Sequence, residues 1–398
     1  MAKYEVRVLD MAGAEKGTIL DFQSLSILDA ANDCGSWKIK SRTPYRQPFE
    51  PYGFALFYRD GVYIFGGPMQ KFSETYDPVL KSWEWEAIGY GFNALLKDVL
   101  IYPSDYTDPL TDLQFVNRYY TISQYQSATY NITDLINKNC SDNSRLNSRD
   151  KPCYIISGAV MENSVESSPE ISYRFDNLLQ ACQALTGSYI FILPYFDTST
   201  RKVTYYVTGR AFTDPIVFAA DTLGVLSYKH SYDTPDTTAL VMSYNADTAN
   251  VWKDCYEKYL YNGAGRLREV LYKPTNEQLG GIYDRYKLVD VAGKAALDYI
   301  VNSEGMEITV DPSLYTYGYD RENGSWVCDY KMGDEVKIVL PDEEFAVRVR
   351  QMKFEVSYGK ETITPGFGAI TKGAFNGIYN NLKNVNISVT KADTEEIT

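Results

Sequence analysis

The chain has 398 residues, 44% hydrophobic and 23% charged, the composition of a globular protein long enough for about two to three domains. Lys+Arg 39 against Asp+Glu 52 gives a net charge of -13 without any basic run, which argues against a sequence-specific nucleic-acid ligand, since phosphate neutralisation supplies most of that affinity. No apolar run approaches the roughly 20 residues that span a bilayer, and Met1-Ala2-Lys3 leads into a strand pattern rather than a secretory leader, so the expectation is a chain made in a cytoplasm with no membrane span.

Tyr4 to Leu9 alternates in the β manner, and Thr18 to Leu20, Ser24 to Leu28 and Ser36 to Lys40 read as further short strands. Arg42 to Pro51, with Pro44 and Pro48, reads as an exposed connection. Phe54 to Arg59 and Val62 to Phe65 are β-rich segments joined by Asp60-Gly61, a pair suited to a type I′ turn. Met69 to Tyr76, the turn Asp77-Pro78 and Trp83 to Tyr90 complete an antiparallel meander. After Gly89-Tyr90-Gly91 the period changes, and Phe92, Leu95 and Leu96 fall at helical spacing. Residues 1–105 are thus expected to form an all-β unit of seven or so strands, closed as a small barrel or sandwich.

Residues 106–205 read as an α/β insertion. Tyr130 to Lys138 is a helix candidate, Asn139 to Pro152 a polar loop, Tyr154 to Val160 a strand and Glu162 to Pro169 a second loop. Phe175, Leu178, Leu179, Cys182 and Leu185 form a helical stripe that Gly187 stops. Tyr189 to Phe196 and Val203 to Thr208 flank a turn at Asp197 to Thr200. Strand signals resume at Ile216 to Ala219, Val225 to Tyr232 and Leu240 to Tyr244, within 206–245. A second interruption, 246–304, closes with a helix from Val291 to Asn302, capped by Asp290 and followed by Gly305. Within 305–370, Glu307 to Val310, Ser325 to Tyr330, Glu335 to Leu340, Phe345 to Arg350, Met352 to Tyr358 and Thr362 to Thr364 return to β pattern. Residues 371–398 are a polar, Asn-rich tail with room for one short helix at Ala374 to Leu382.

An internal echo runs through these units. Gly53 opens a hairpin that leads to Met69-Gln70-Lys71-Phe72 and Gly89-Tyr90-Gly91; Gly333 opens one that leads to Gln351-Met352-Lys353-Phe354 and Pro365-Gly366-Phe367-Gly368. Two related β units, or two meanders alike by chance, both fit.

Chemistry is sparse. The single histidine, His230, rules out multi-His zinc sites, and Cys34, Cys140, Cys153, Cys182, Cys255 and Cys328 contain no CxxC pair and read as reduced thiols; Cys140 and Cys153 are the only sequence-near pair suited to a disulfide. There is no GxSxG elbow, Walker loop or dinucleotide fingerprint, and Gly263 to Arg268 reads as a turn. Glu84 and Glu86, on one face of a strand with Trp83 and Trp85 on the other, are the one carboxylate pair a glycosidase could use, against the plainer reading of a polar outer face. The sequons at Asn131, Asn139, Asn323 and Asn386 carry meaning only in a secreted chain. The 35 tyrosines suit sheets and interfaces, with a saccharide platform as the alternative.

Several segments together resemble the baseplate hub, or tail-tip hub, proteins of long-tailed bacteriophages, closest to the siphophage branch: Tyr4 to Asp10, Asp21 to Ser26, Cys34 to Ile39, Ile88 to Leu96, Gly263 to Arg268, Gly333 to Val336 and Thr364 to Gly368. The resemblance covers nearly the whole chain. It implies an α+β, mainly β fold with two tube-forming antiparallel β-barrel domains, the first at 1–105 and the second split between 206–245 and 305–370, with α/β insertions at 106–205 and 246–304. It further implies a structural virion protein with no catalytic, cofactor-binding or metal residues. Such a protein is a homotrimer whose pseudo-sixfold ring joins a tail tube or distal tail protein above to a tip, spike or fibre protein below. Genome ejection would pass DNA through this ring, with carboxylates expected along the lumen. The alternatives are a cell-wall glycosidase of the tail tip using Glu84 and Glu86, and a carbohydrate-binding receptor protein.

Overall fold

The computed structural model describes residues 2–101, 120–122, 125–140, 155–164, 171–173, 176–186, 189–209, 216–219, 225–231, 238–242, 256–260, 269–272, 305–310, 316–340, 344–357 and 359–368. The first hundred residues form β1 (Tyr4–Leu9), β2 (Glu15–Ile19), β3 (Ser24–Ala30), β4 (Ser36–Thr43), β5 (Phe54–Arg59), β6 (Val62–Asp77), β7 (Ser82–Gly89) and the one-turn helix α1 (Ala94–Lys97). Next come β8 (Tyr120–Ile122), α2 (Ala128–Cys140), β9 (Ile156–Met161), β10 (Ile171–Tyr173), α3 (Leu178–Thr186), β11 (Ile190–Asp197) and β12 (Lys202–Gly209). The remainder holds β13 (Ile216–Ala219), β14 (Val225–Ser231), β15 (Thr238–Met242), β16 (Tyr256–Leu260), β17 (Glu269–Tyr272), β18 (Gly305–Val310), β19 (Arg321–Glu322), β20 (Ser325–Trp326), β21 (Glu335–Val339), β22 (Glu344–Ser357) and β23 (Lys360–Gly368). The fold is mainly β, as expected.

One 13-stranded sheet organises the molecule, in the order β14-β18-β23-β22-β3-β4-β7-β6-β5-β1-β2, with β21 paired to β22 and β13 paired to β21. Period-two alternation gives this sheet its core face. Leu25 and Ile27, Trp37 and Ile39, Trp85 and Ala87, and Phe354 and Val356 are all buried on one side, while their neighbours in sequence point away. Burying each of these large side chains contributes about 1.5–3 kcal/mol. β22 stands between the two halves of the chain: it pairs antiparallel with β3 on one edge and with β23 on the other. In a single chain the sheet stays open, running from β2 at one end to β14 at the other.

The expected insertion packs α2 and α3 on a smaller sheet, β11-β12-β9. Ile132, Leu135, Ile136 and Cys140 of α2 and Leu178, Leu179, Cys182 and Leu185 of α3 are buried at helical spacing. Asn32 docks this unit on the main sheet: its amide accepts from the Ile192 N–H at 2.8 Å and donates to the Ile190 carbonyl at 2.7 Å. The Tyr205 hydroxyl adds a buried bond of 2.8 Å to the Phe92 carbonyl.

Five elements differ from the sequence reading. Val62 to Phe65 and Met69 to Tyr76 are one strand, β6, because Gly66, Gly67 and Pro68 remain paired with β5. Phe345 to Arg350 and Met352 to Tyr358 likewise merge in β22, each long strand absorbing a bulge instead of breaking. The stretch Arg42 to Pro51 folds back on the sheet, with the Phe49 ring tilted against Phe72 at 5.0 Å and Trp85 at 5.8 Å. Ser325 to Tyr330 is strand only at β20, because Asn323 and Gly324, at φ 49 and φ 81, turn it into a two-residue hairpin with β19. Leu240 to Tyr244 overlaps β15, which pairs with β16 and β17 in a separate sheet rather than with the main one. The helix expected at Val291 to Asn302, the turn Gly263 to Arg268, and the tail 371–398 lie outside the described residues.

Candidate functional site

The long sheet leaves one face open. Register rows cross it as Thr75, Glu84, Arg42; as Ser73, Glu86, Lys40, Ser24, Ser357, Lys360; and as Lys71, Ile88, Lys38, Ser26, Glu355, Thr362. Apart from Ile88 this is a surface of small hydroxyl and charged side chains. The charges pair between β4 and β7: diagonally, Lys38 Nζ lies 2.7 Å from Glu86 and Lys40 Nζ 3.3 Å from Glu84, and directly across, Arg42 Nη2 lies 2.8 Å from Glu84. Lys353 and Glu355 pair along β22 at 2.9 Å.

Glu84 and Glu86 do share a face, with Trp83 and Trp85 turned to the other, as the alternation predicts. Hydrogen bonds from Arg42 and Lys40 hold the Glu84 carboxyl below the usual carboxylate range. Glu86 is tied to Lys38.

The same face shows how the two halves of the chain are related. In β6 the extra residue Gln70 sits between the pairs Met69↔Gly89 and Lys71↔Ile88; in β22 the extra residue Arg350 sits between Val349↔Phe367 and Gln351↔Gly366. Before the bulge each long strand pairs with a preceding hairpin strand, β5 or β21, and after it with a following one, β7 or β23. The echo glycines mark the spot. Met69 N–H bonds to the Gly53 carbonyl at 3.0 Å, and Gly333 N–H to the Val349 carbonyl at 2.9 Å. The geometry matches Lys71 to Gln351, two residues away from the Lys-Phe match that the sequence offers.

The two units meet inside the chain where β3 pairs with the second half of β22, Ser26 opposite Glu355. The equivalent edge of the first unit, the side of Lys71 to Asp77 of β6 away from β7, pairs with no strand among the described residues, and β14 ends the sheet on the opposite side. Eight strands lie between these limits: the second half of β6, then β7, β4, β3, the second half of β22, β23, β18 and β14. Beside the open edge, Glu74 is bonded through Oε1 to Arg46, while its buried Oε2 has no partner among the described residues.

A buried polar node, invisible in the sequence, ties the 316–330 segment to β3. The Tyr317 and Tyr319 hydroxyls both donate to Asp29 Oδ2 at 2.7 Å. Burial pushes the Asp29 carboxyl up to about 6, against the pull of these hydroxyls and the Ala30 N–H. Tyr63 N–H donates to Asp320 at 3.0 Å, and Tyr319 N–H to the Tyr63 carbonyl at 2.8 Å. A second junction is the Arg59–Glu361 pair at 2.7 Å, both side chains nearly buried, with the Tyr4 hydroxyl donating to Glu361 at 2.5 Å.

The remaining candidates are structural in position. Among the described residues no group of His, Cys, Asp and Glu is arranged to hold a metal, and no helix is long and apolar enough to cross a membrane. Cys34 and Cys182 are buried free thiols, Cys328 is a half-buried one, Cys140 is buried, and Cys153 lies outside the described residues. Asn131 and Asn139 are buried on α2, Asn323 is in the exposed hairpin turn, and Asn386 is not described. His230 falls on β14, opposite Met306 of β18.

No family model matches the chain, and no curated protein matches it in sequence. Solved structures do match. The 43 kDa tail protein of prophage MuSo2 from Shewanella oneidensis superposes with a TM-score of 0.58 at 12% identity, over 92% of this chain and 98% of that one. The tail protein from Neisseria meningitidis MC58 gives 0.55 at 11% identity, over 92% and 96%. The likeness to tail proteins read from the sequence segments therefore holds at the level of the whole fold.

Proposed function

We propose that this chain is a structural protein of a phage-type tail, a hub at the tail tip in which three copies close into a ring around a passage for DNA. Its fold is that of tail proteins. The observation that carries the reading is the duplicated unit: two bulged meanders joined edge to edge at β3 and β22, with one matching edge left over on β6. A chain holding two copies of one wall unit makes six units from three chains, which is how a threefold tip would meet a sixfold tube. The buried face of the sheet carries the insertion, leaving the open face of Lys, Glu, Ser and Thr for the lumen.

Neighbours along the axis would be a tail-tube or distal tail protein on one side and a tip, spike or fibre protein on the other. The β6–β7 hairpin offers them an exposed tip, where Val79 and Leu80 project from a turn fixed by Asp77 Oδ1, which accepts from their N–H groups at 2.9 and 3.0 Å. No catalytic step is assigned. Mass measurement in solution by light scattering tests the ring: a three-chain particle is expected, and a chain that stays monomeric at all concentrations and releases reducing sugar from cell walls would instead favour the glycosidase.

A further inference from the structure

The junction between copies can be specified residue by residue, because the chain already contains one example of it. This step rests on the ring reading above and sharpens it. The second half of β6 corresponds to the second half of β22 through the bulges, Gln70 to Arg350, so Thr75 corresponds to Glu355. Following the pairs inward, Ile88 corresponds to Gly366, Lys38 to Glu307 and Ser26 to Lys229, since Lys71 pairs with Ile88 and Gln351 with Gly366, Ile88 with Lys38 and Gly366 with Glu307, and Lys38 with Ser26 and Glu307 with Lys229. The correspondence also matches the core face: Ile39 falls on Ile308 and Trp85 on Ile363, and all four are buried.

We infer that β14 of one copy pairs antiparallel with the Lys71 to Asp77 edge of β6 in the next copy, with Lys229 opposite Thr75, in repetition of the in-chain pair Ser26↔Glu355. The rest of the register follows from the same ladder. Ser227 falls opposite Asp77 as Ser24 falls opposite Ser357, and Ser231 opposite Ser73 as Leu28 falls opposite Lys353. Three features favour a second copy of this chain over another protein as the occupant. The edge is the one whose equivalent in β22 is already covered by this very fold. A head-to-tail contact of this kind closes on itself only with copies that carry both strands. And position 230 comes into register with Glu74, as Ile27 does with Phe354, beside a carboxylate whose buried Oε2 has no partner among the described residues.

Full-length protein carrying Thr75→Cys and Lys229→Cys, oxidised and run on a denaturing gel, tests the register, since directly opposed Cβ atoms lie about 4.5–5.5 Å apart and diagonal ones about 7–8 Å. A three-chain band that collapses on reduction is expected, with far less from Thr75→Cys paired with Ser227→Cys. Each single-cysteine variant serves as background for the native thiols, and light scattering before oxidation reads the mass. A three-chain mass with no covalent trimer from T75C/K229C, or with T75C/S227C the better linked, overturns the register while leaving the ring standing. A monomeric mass removes the ring and the junction together.

Discussion

Asp29 shows how a single residue can set a pH dependence without any catalytic part. Its carboxyl is fully enclosed, and burial outweighs three hydrogen bonds, so its folded value of about 6 stands above the ordinary 3.8. A carboxyl raised in the fold binds its proton more tightly there than in the unfolded chain. The stability this confers is complete below about pH 4 and is lost as pH rises through about 6, an effect on the order of 3 kcal/mol. Urea unfolding of the wild type is therefore expected to show falling stability from pH 4 to 6 relative to Asp29→Asn, with the gap constant above pH 7. Parallel profiles for the two proteins would remove Asp29 as the source. The tyrosines beside it also answer the saccharide alternative in part: Tyr63, Tyr205, Tyr317, Tyr319 and Tyr330 are core residues, and the hydroxyls of Tyr205, Tyr317 and Tyr319 are bonded inside the fold.

At the scale of elements, the long bulged strand is the recurring device. A bulge changes the partner of a strand without ending it, so β6 and β22 each serve a hairpin strand first and a sheet strand afterwards. Gly333 is placed where the second unit turns into this arrangement. Its φ of 90° is one that side chains rarely adopt, and an added Cβ would lie 2.6 Å from the Phe191 ring of β11. Gly333→Ala is expected to cost about 2–4 kcal/mol in chemical denaturation, the sum of left-handed strain and overpacking. Gly324→Ala in the exposed hairpin has φ 81 but meets nothing within 4 Å, so it should cost only the strain, about 1–2 kcal/mol. Equal losses at the two positions would mean that contact with the insertion contributes little.

For the whole molecule, the distribution of charge matters more than its sum. The chain carries -13, yet among the described residues of β6, β7, β4, β22 and β23 the open face presents Lys38, Lys40, Arg42, Lys71, Lys353 and Lys360 against Asp77, Glu84, Glu86 and Glu355. The expectation of a carboxylate-lined passage therefore finds no support on this face. Glu84 and Glu86 instead hold the cations of β4 in exposed, solvent-screened ion pairs. Glu84→Gln with Glu86→Gln should leave the fold intact and release Lys38, Lys40 and Arg42. Fluorescence anisotropy with duplex DNA at low salt is expected to show an affinity gain of about tenfold and a steeper loss with added salt. An unchanged affinity would mean that these glutamates do not restrain the face.

The sequence by itself determined the class and much of the strand map. Alternation at Tyr4 to Leu9, Ser36 to Lys40 and Trp83 to Tyr90 depends only on which side chains face water, and the helical stripe of Leu178, Leu179, Cys182 and Leu185 likewise. The lack of histidine partners for a metal was legible too, since it is a matter of counting. The tertiary structure alone decided which edges meet. β22 reaches β3 across more than three hundred residues of chain, and Asp29 meets Tyr317 and Tyr319 at a comparable separation. Local spacing holds no record of such contacts, because backbone pairing is nearly indifferent to side-chain identity and a buried carboxylate is recognisable only from the donors that the fold brings to it.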